Sequence, residues 1–219
     1  MIKEGEKLEN LIIIGAGGFA LEVIDLIESI NLIQRRFNIV GLLDDHKKKF
    51  NIEKYSIIGN ISDYKDYSQH SFIIAIANPK IRAAIYSELK LNGIKTPNLV
   101  HPKTEISIYT KLKNNSGIII NYATQISADV KIEEAVIIDS KCYIGHETSL
   151  KSFVTIYPGV NISGKNTIND KSEIGLGSNI IQGLTIGSNT LIGAGSTVLS
   201  NIKDNVVAVG TPCKPIKER

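Results

Sequence analysis

The fold of this chain is decided between Ile120 and Val198, where the sequence reads INYATQISADVKIEEAVIIDSKCYIGHETSLKSFVTIYPGVNISGKNTINDKSEIGLGSNIIQGLTIGSNTLIGAGSTV. Every sixth residue of this stretch is Ile, Leu or Val, and the phase holds across fourteen positions. The residue two positions before each of these is mostly small. A fixed short period of this kind is typical of a solenoid, in which repeated units stack along one axis.

The six-residue period predicts a parallel β-helix. Residues i and i−2 of a strand face the same side, so each hexad turns one large and one small side chain inward. A period of six fits neither 3.6 nor 3.5, which disfavours a helix. One rung cannot bury its aliphatic side chains alone, and the rungs must therefore stack. A β-sandwich with evenly spaced strands is the alternative, and the unbroken phase disfavours it. The pattern leaves the hand open, because ordinary crossovers are right-handed.

Composition excludes several classes of function. Lys plus Arg number 25 and Asp plus Glu 22 in 219 residues, and no basic block interleaved with aromatics predicts nucleic-acid binding. Cys142 and Cys213 lie far apart, and Cys142 falls on an inward hexad position, so we expect no disulfide and a reducing compartment. The segment Met1–Asn10 lacks an apolar signal core, and no run approaches the length of a membrane span. We therefore expect a cytoplasmic protein.

The N-terminal part alternates strands and helices. This order predicts a small parallel α/β sheet that is too short for a full six-stranded dinucleotide fold. We place the boundary near Pro102, with a Rossmann-like domain at residues 1–102 and the β-helix with a C-terminal tail at residues 103–219. The predicted elements are strands at Leu11–Ile14, Asn38–Leu43 and Phe72–Ala77, a helix carrying Val23, Ile24, Ile27 and Ile30, and a helix from Pro79 to about Leu91.

A glycine loop follows the first strand. Gly15-x-Gly17-x-x-Ala20 fits the dinucleotide fingerprint, with Asp44 or Asp45 after the next strand as the ribose binder. Its glycines allow backbone amides to approach a phosphate at a helix N-terminus. Any nucleotide diphosphate would suit this loop, and the carboxylates could accept from an amide N–H or from ribose hydroxyls. A glycine turn without a ligand stays open as well.

Together these segments resemble the bacterial sugar O- and N-acyltransferases with hexapeptide repeats. That family includes sialic acid O-acetyltransferases and UDP-4-amino-sugar N-acetyltransferases. The resemblance implies a small Rossmann-like domain followed by a left-handed parallel β-helix. It covers nearly the whole chain and rests on the hexads and on the ordered motifs Gly15–Phe19, Leu43–Asp45, Ile74–Asn78 with Ile81-Arg82, Asn98–Pro102 and Gly210–Lys214.

The resemblance also implies where the chemistry takes place. In such enzymes a His-Glu pair at a β-helix corner is catalytic, and His146-Glu147 matches it here, with Pro158-Gly159 at the expected distance. His146 would be the general base that takes a proton from an attacking amine or hydroxyl. Glu147 would stabilise the imidazolium that forms. Backbone amides would stabilise the oxyanion when acetyl-CoA is attacked directly. A solvent-facing corner histidine without a function is the alternative.

The binding residues are carried over one position at a time. The resemblance implies a nucleotide-sugar site, a coenzyme A groove between neighbouring subunits, a homotrimer and no metal. Phe19 stands where many relatives carry a histidine, Thr155 where some have a second histidine touching the acyl donor, and Asp139 where certain amino-sugar enzymes have Asn. The residues are Gly17, Gly18 and Phe19 around the nucleotide sugar, Asp44 and Asp45 at its base, Ala77 beside the sugar, and Thr155, Gly164, Leu176 and Ala194 along the coenzyme.

We therefore predict an acetyl-CoA-dependent N-acetyltransferase acting on a nucleotide-activated amino sugar, a UDP-4-amino-4,6-dideoxy sugar for bacterial surface glycans. O-acetylation of sialic acid or another sugar hydroxyl is the first alternative, and an NAD-dependent oxidoreductase is an alternative of another class. A zinc hydratase would need about three imidazole ligands, whereas the four histidines of the chain are scattered. A scaffold with a degenerate site is the non-enzymatic alternative. The sequence leaves open the base, the sugar's stereochemistry and the length of the acyl group.

Overall fold

The structure, a computed structural model, describes residues 8–47, 49 and 52–219. Its N-terminal part is an α/β unit and the remainder is a parallel β-helix. The elements of the α/β unit are β1 (Glu9–Ile14), α1 (Gly18–Ile33), β2 (Phe37–Leu43), β3 (Ile57–Gly59), a 3-10 helix (Ile61–Tyr67), β4 (Ser71–Ile74) and α2 (Pro79–Leu91).

The N-terminal sheet is parallel and covered on both faces. Its strand order is β3-β2-β1-β4. Leu11 and Ile13 of β1 pack with the buried face of α1, whereas Ile12 and Ile14 pack with Phe72 and residues of α2 on the other side. Burial on both faces explains why β1 is a continuous apolar run rather than an alternating one.

Three sheets, parallel except for a final antiparallel strand, form the faces of the β-helix. From Ile119 to Val198 each strand pairs with the strand eighteen residues further on, whereas the first coil has a spacing of twenty. The first face is β5 (Leu99–Val100), β8 (Ile119–Ile120), β11 (Ile137–Ile138), β14 (Thr155–Ile156), β17 (Glu173–Ile174), β20 (Leu191–Ile192), β22 (Val206–Gly210) and β23 (Cys213–Glu218). The second is β6 (Glu105–Ile106), β9 (Gln125–Ile126), β12 (Tyr143–Ile144), β15 (Asn161–Ile162), β18 (Asn179–Ile180) and β21 (Thr197–Val198). The third is β7 (Lys111–Leu112), β10 (Lys131–Ile132), β13 (Ser149–Leu150), β16 (Thr167–Ile168) and β19 (Thr185–Ile186).

The predicted hexad residues form the core of the coil. All fourteen aliphatic residues from Ile120 to Val198 are buried in one cluster, and Cys142 is buried among them as a free thiol. Ile106 and Leu112, in the weak hexads, are partly buried against the same cluster. Burial of each large aliphatic side chain stabilises the coil by roughly 1.5–3 kcal/mol before chain entropy is subtracted. The prediction of a parallel β-helix is confirmed.

The three corners of the coil recur with the same spacing, and backbone hydrogen bonds connect successive coils at each of them. The first corner joins the first and second faces, the second corner joins the second and third, and the third corner joins the third and first. Their stacked residues are Ser140, Pro158, Leu176 and Ala194 at the first corner, Ala128, His146, Gly164 and Gln182 at the second, and Glu134, Ser152 and Asp170 at the third.

The α/β unit covers the first face of the coil. Leu99, Ile119 and Ile137 point outward from that face and join the core cluster beneath α1. The coil starts with β5, slightly ahead of the boundary that we predict near Pro102, because Leu99 and Val100 already pair with β8. The boundary itself stays a prediction.

Some elements differ from the sequence-based expectation. The third predicted strand ends at Ile74 rather than Ala77, and neither β3 nor the 3-10 helix was predicted. After Val198 the six-residue phase breaks, and the chain closes with the antiparallel pair β22–β23. Within the described residues no helix has the length and apolarity required to cross a bilayer. The predicted lack of a signal core concerns a segment whose first seven residues lie outside the described part.

Candidate active site

The glycine loop and Asp44 are held together at the carboxyl end of the N-terminal sheet. Asp44 Oδ2 accepts a hydrogen bond of 2.7 Å from the backbone N–H of Ala16, and Oδ1 accepts from the N–H groups of His46 and Lys47 at 2.9 and 2.8 Å. Of the two acceptor roles that the sequence leaves open for this carboxylate, the structure therefore shows the one with amide N–H donors.

The charge of Asp44 is stabilised by this arrangement. Burial acts to raise the pKa of Asp44, but the hydrogen bonds from Lys47, His46 and Ala16 outweigh it, and the pKa lies below its ordinary value. Asp45 is exposed and accepts a hydrogen bond of 2.8 Å from the N–H of Ile61. Because Asp44 already accepts three N–H donors, Asp45 is the freer of the two carboxylates for a ligand hydroxyl.

The remaining predicted substrate residues lie at the same edge of the sheet. Gly17 is the N-cap of α1, with φ −76 and ψ −171, and both Gly17 and Gly18 are exposed. A Cβ built on either glycine would contact nothing within 4 Å, so the loop leaves open space at the helix N-terminus. Phe19 is half-buried against the core beneath α1. Ala77 follows β4, and its carbonyl accepts from Arg82 and Thr155.

An open cleft of about 470 Å³ lies between the start of α1 and the first corner of the coil. Burial, and then the neighbouring Asp139 carboxylate, raise the pKa of Glu22 in its wall. The sequence analysis missed this cleft, although the spacing of Leu21 and Asp25 places them on one face of α1. The lining residues are Leu21, Glu22, Asp25, Asn121, Tyr122 and Ser140.

Thr155 is not placed to contact a coenzyme through its side chain. It is buried on the first face, beneath the α/β unit, where its hydroxyl accepts from Arg82 Nη2 at 2.9 Å and donates to the Ala77 carbonyl at 3.0 Å. The predicted role of Thr155 as a coenzyme contact therefore finds no support in its position.

The His146–Glu147 pair lies on the outside of the coil, at its second corner. His146 Nδ1 is 2.9 Å from Glu147 Oε1, and the side chains are 45% and 50% exposed. Lys165 Nζ lies 3.9 Å from the other oxygen of Glu147. With Nδ1–H donating to the carboxylate, the lone pair of Nε2 is left to accept a proton. The pair therefore has the geometry of a base and the group that orients it.

Gly164, one coil further along the second corner, lies directly against the imidazole. A Cβ built on Gly164 would be 2.5 Å from His146 Nε2 and 2.6 Å from Cε1. Only glycine leaves room for the ring in this position. Gly164 was predicted as a coenzyme position, and the structure adds this contact with the predicted base.

Leu176 and Ala194 are exposed and stacked at the first corner, because the Gly195 N–H bonds to the Leu176 carbonyl at 2.8 Å. The other three predicted coenzyme positions, Gly164, Leu176 and Ala194, thus lie on two corners, at opposite edges of the second face. His146 occupies the corner opposite the first face, which carries the α/β unit. Among the described residues, no hydrogen bond or ion pair connects His146 to the glycine loop.

The described part of the chain contains no group of three or more His, Cys, Asp or Glu side chains that could hold a metal ion. His101, near the junction of the two units, has its pKa lowered by burial, and its Nδ1 accepts from the Lys103 N–H at 3.0 Å. Cys142 lies in the coil core, and burial raises the pKa of its thiol to about 12. Neither residue reaches the His146 site.

Known protein families and curated proteins each match part of the chain. Residues 10–89 match the family model of the PglD N-terminal domain. A GDP-perosamine N-acetyltransferase of Escherichia coli O157:H7 is 29% identical over 108 residues, which are 49% of this chain and 48% of that protein. The match therefore spans about half the length of that relative.

Solved structures match over nearly the whole length. The acetyltransferase domain of PglB from Neisseria gonorrhoeae FA1090 superposes with a TM-score of 0.87 and 27% identity, covering 95% of this chain and all of that one. The same domain in complex with acetyl coenzyme A gives 0.75 and 26%, covering 96% and 100%. PerB from Caulobacter crescentus gives 0.85 over 96% and 98% of the chains, and at 23% identity it shows the fold alone.

These matches confirm the expected Rossmann-like sheet and left-handed β-helix. Residues 10–89 are similar to the PglD N-terminal domain, and over nearly its whole length the chain is similar in structure to the acetyltransferase domain of PglB.

Proposed function

We propose that this protein is an N-acetyltransferase that uses acetyl-CoA to acylate a nucleotide-activated amino sugar of bacterial surface glycans. The observation that carries the proposal is the exposed His146–Glu147 pair on a coil corner. The named activity of the E. coli relative and the acetyl-CoA complex of the PglB domain support the same reaction.

The proposed mechanism is a direct transfer. The neutral amine attacks the thioester carbonyl, so a C–N bond forms and the carbonyl oxygen becomes an oxyanion. His146 Nε2 takes the proton from the nitrogen, and Glu147 stabilises the resulting imidazolium. The C–S bond then breaks, and the coenzyme A thiolate leaves and receives that proton. Coil backbone N–H groups would stabilise the oxyanion.

The cleft beside α1 favours an amine over a hydroxyl as the acceptor. Glu22 and Asp25 line it, and the buried Asp139 carboxylate lies close enough to affect Glu22. An amino sugar reaches the enzyme largely as an ammonium ion, which the carboxylates would attract and which gives up one proton to solvent before the neutral amine attacks. A neutral hydroxyl would gain no such attraction. The acidic wall therefore supports N-acetylation.

The positions of the two half-sites support an active site shared between protomers. The nucleotide-sugar residues belong to the unit that covers the first face, whereas His146 lies at the opposite corner of the coil. A second protomer could bring its second corner next to the first corner of its neighbour. The coenzyme would then lie between Gly164 of one protomer and Leu176 and Ala194 of the other.

Exposed apolar residues support the homotrimer that the family resemblance implies. Ile181 and Leu199 are 44% and 50% exposed and stack beside the second corner. Size-exclusion chromatography with light scattering tests this part of the proposal. We expect a mass of three times the 23.9 kDa of one chain, and a monomer at micromolar concentration would refute the homotrimer.

We also propose the cytoplasm as the compartment, because both cysteines are free thiols.

The reaction itself is tested by thiol release from acetyl-CoA with a panel of UDP-, GDP- and dTDP-linked amino sugars and free sialic acid. We expect release with at least one nucleotide amino sugar. The family resemblance favours UDP-4-amino-4,6-dideoxy sugars, whereas the name of the E. coli relative favours a GDP-linked sugar, and the panel distinguishes the two. Release with sialic acid alone would replace N-acetylation by O-acetylation.

A further inference from the structure

Arg82 of α2 is fully buried and connects the α/β unit to the coil. Its Nε donates to the Ala135 carbonyl at 2.8 Å, and its Nη2 donates to the Phe153 carbonyl at 2.7 Å and to Thr155 Oγ1 at 2.9 Å. The first two acceptors belong to stacked positions of the third corner. The side chain of Arg82 therefore extends from α2 and bonds to two successive coils.

The same guanidinium also holds the loop between β4 and α2. Nη1 donates to the carbonyls of Ile76 and Ala77 at 2.9 and 2.6 Å. The Ala77 carbonyl receives a second bond from the Thr155 hydroxyl at 3.0 Å. The Ala77 carbonyl thus accepts hydrogen bonds both from the helix that follows it, α2, and from the first face of the coil.

All five N–H donors of Arg82 are used by neutral oxygens, and within the described residues it forms no salt bridge. Burial lowers its pKa to about 9, so the group remains charged at neutral pH. The Glu173 carboxylate lies near enough to raise the pKa of Arg82 but makes no ion pair with it, so this buried cation has only carbonyls and a hydroxyl as hydrogen-bond partners, a costly arrangement. Lysine has three donors and no planar fork, and it cannot reproduce this set of contacts.

We propose that Arg82 is a positioning residue for the acceptor sugar, which it influences through Ala77. This inference rests on the proposed function and on the predicted place of Ala77 beside the sugar. By fixing Ala77 relative to the third corner and the first face, Arg82 sets the shape of the sugar-binding edge against the coil. The coenzyme positions at the first and second corners make no contact with Arg82, so acetyl-CoA binding does not depend on it.

The test compares Arg82→Lys and Thr155→Val with wild type, using the panel sugar that the wild-type protein acetylates fastest and acetyl-CoA. We expect Arg82→Lys to raise KM for the nucleotide sugar at least tenfold, with KM for acetyl-CoA changed less than twofold. Thr155→Val removes only the hydroxyl that links Arg82 and Ala77, and should raise the same KM about threefold to tenfold. Thr155→Ser, which keeps the hydroxyl, should lie closer to wild type.

Lys90→Ala is the matched control. Lys90 also connects α2 to the third corner, through an exposed ion pair with Glu134, but it does not touch the Ala77 loop. We expect neither KM to change in this variant. If Arg82→Lys does not fold, Thr155→Val still decides the question, because its other packing is retained.

The outcomes separate this inference from the proposed function. If Arg82→Lys and Thr155→Val lower the unfolding temperature but leave both KM values unchanged, Arg82 contributes to stability alone. That result would overturn the inference and would not affect the proposed acetyltransferase function. An equal rise in both KM values would overturn it as well. Failure of the wild-type protein to acetylate any panel sugar would remove the proposed function, and the inference with it.

Discussion

The imidazole of His146 is positioned by two neighbours, Glu147 and Gly164. Nδ1 lies within hydrogen-bond distance of the Glu147 carboxylate, and the absence of a side chain at Gly164 lets the ring pack against the coil backbone. The αL conformation of Glu147, with φ +59, is shared by residues at regular corner positions such as Lys141 and Lys165. It is therefore a property of the corner rather than strain stored for catalysis.

Gly164→Ala should move the ring without unfolding the coil. The three atoms nearest the added Cβ all belong to the half-exposed imidazole, which can swing outward, so we expect an unfolding free energy within about 1 kcal/mol of wild type. Displacing a general base by about 1 Å should lower kcat about 100-fold. The control is a double-mutant cycle: in a His146→Ala background, adding Gly164→Ala should change neither stability nor residual rate. Full activity of Gly164→Ala would contradict the assignment.

Asp44→Asn tests the carboxylate that closes the glycine loop. The folded-state pKa of Asp44 is lowered, so its charge stabilises the fold above the ordinary value of about 4, and this contribution disappears as pH falls through the folded pKa. Charge-assisted hydrogen bonds contribute about 1.5–3 kcal/mol when buried, and partial exposure reduces the expected loss to about 1 kcal/mol at pH 7.

Urea unfolding of wild type and Asp44→Asn at pH 7 and near pH 3 measures this loss. The difference between the two proteins should shrink at the lower pH. Asp45→Asn is the control, because that carboxylate accepts one backbone hydrogen bond where Asp44 accepts three. A pH-independent difference would show that the Asp44 charge is not what holds the loop.

The residue scale also shows where sequence reasoning ends. The exposed corner position of His146 fits the hexad phase, since position 146 lies in the turn between the inward residues Ile144 and Thr148. Arg82 was noticed only as part of a motif. Three of its coil partners are backbone carbonyls 53 to 72 residues away in sequence, and the fourth is the Thr155 hydroxyl. No side-chain pattern in the sequence records a contact made to main chain.

At the scale of elements, the coil was predictable rung by rung because one period repeats without interruption. The short pieces of the α/β unit were not. β3 has three residues and pairs with β2 through an irregular register, so its apolar pattern is too brief to distinguish from a loop. β4 ends at Ile74, and the carbonyl of Ala77, which was expected to lie in the strand, accepts from Arg82 and Thr155 rather than from a neighbouring strand.

At the corners of the coil, substitution by glycine should not destabilise the protein as it does elsewhere. Lys141 is exposed at a corner with φ +58, a conformation that costs an L-residue about 1–2 kcal/mol. Lys141→Gly should therefore be neutral or stabilise the protein by up to about 1 kcal/mol, since relief of that cost exceeds the added chain entropy. Lys131→Gly, the same change at an exposed residue of β10, should destabilise it by about 0.5–1 kcal/mol. Thermal unfolding of both variants measures the contrast, and equal losses would contradict it.

At the scale of the whole molecule, the predicted nucleotide-sugar site and the predicted catalytic base lie far apart within one chain. The α/β unit and its glycine loop cover one face of the coil, and the predicted base lies at the corner furthest from that face. Sequence positions alone do not reveal this, because residues 17 and 146 could meet in many folds. It follows only once the three faces and their order are known, and it makes the account depend on a neighbouring protomer.

Subunit mixing tests that dependence most directly. His146→Ala removes the base, and Gly17→Leu places an apolar side chain at the N-terminus of α1, where an added Cβ meets nothing within 4 Å. Each homotrimer should be inactive in the thiol-release assay. Mixed trimers, isolated with two affinity tags, should recover about one third of the wild-type rate, because cyclic order leaves one site with both an intact loop and an intact base. Mixed trimers that form but remain inactive would contradict a site shared between protomers.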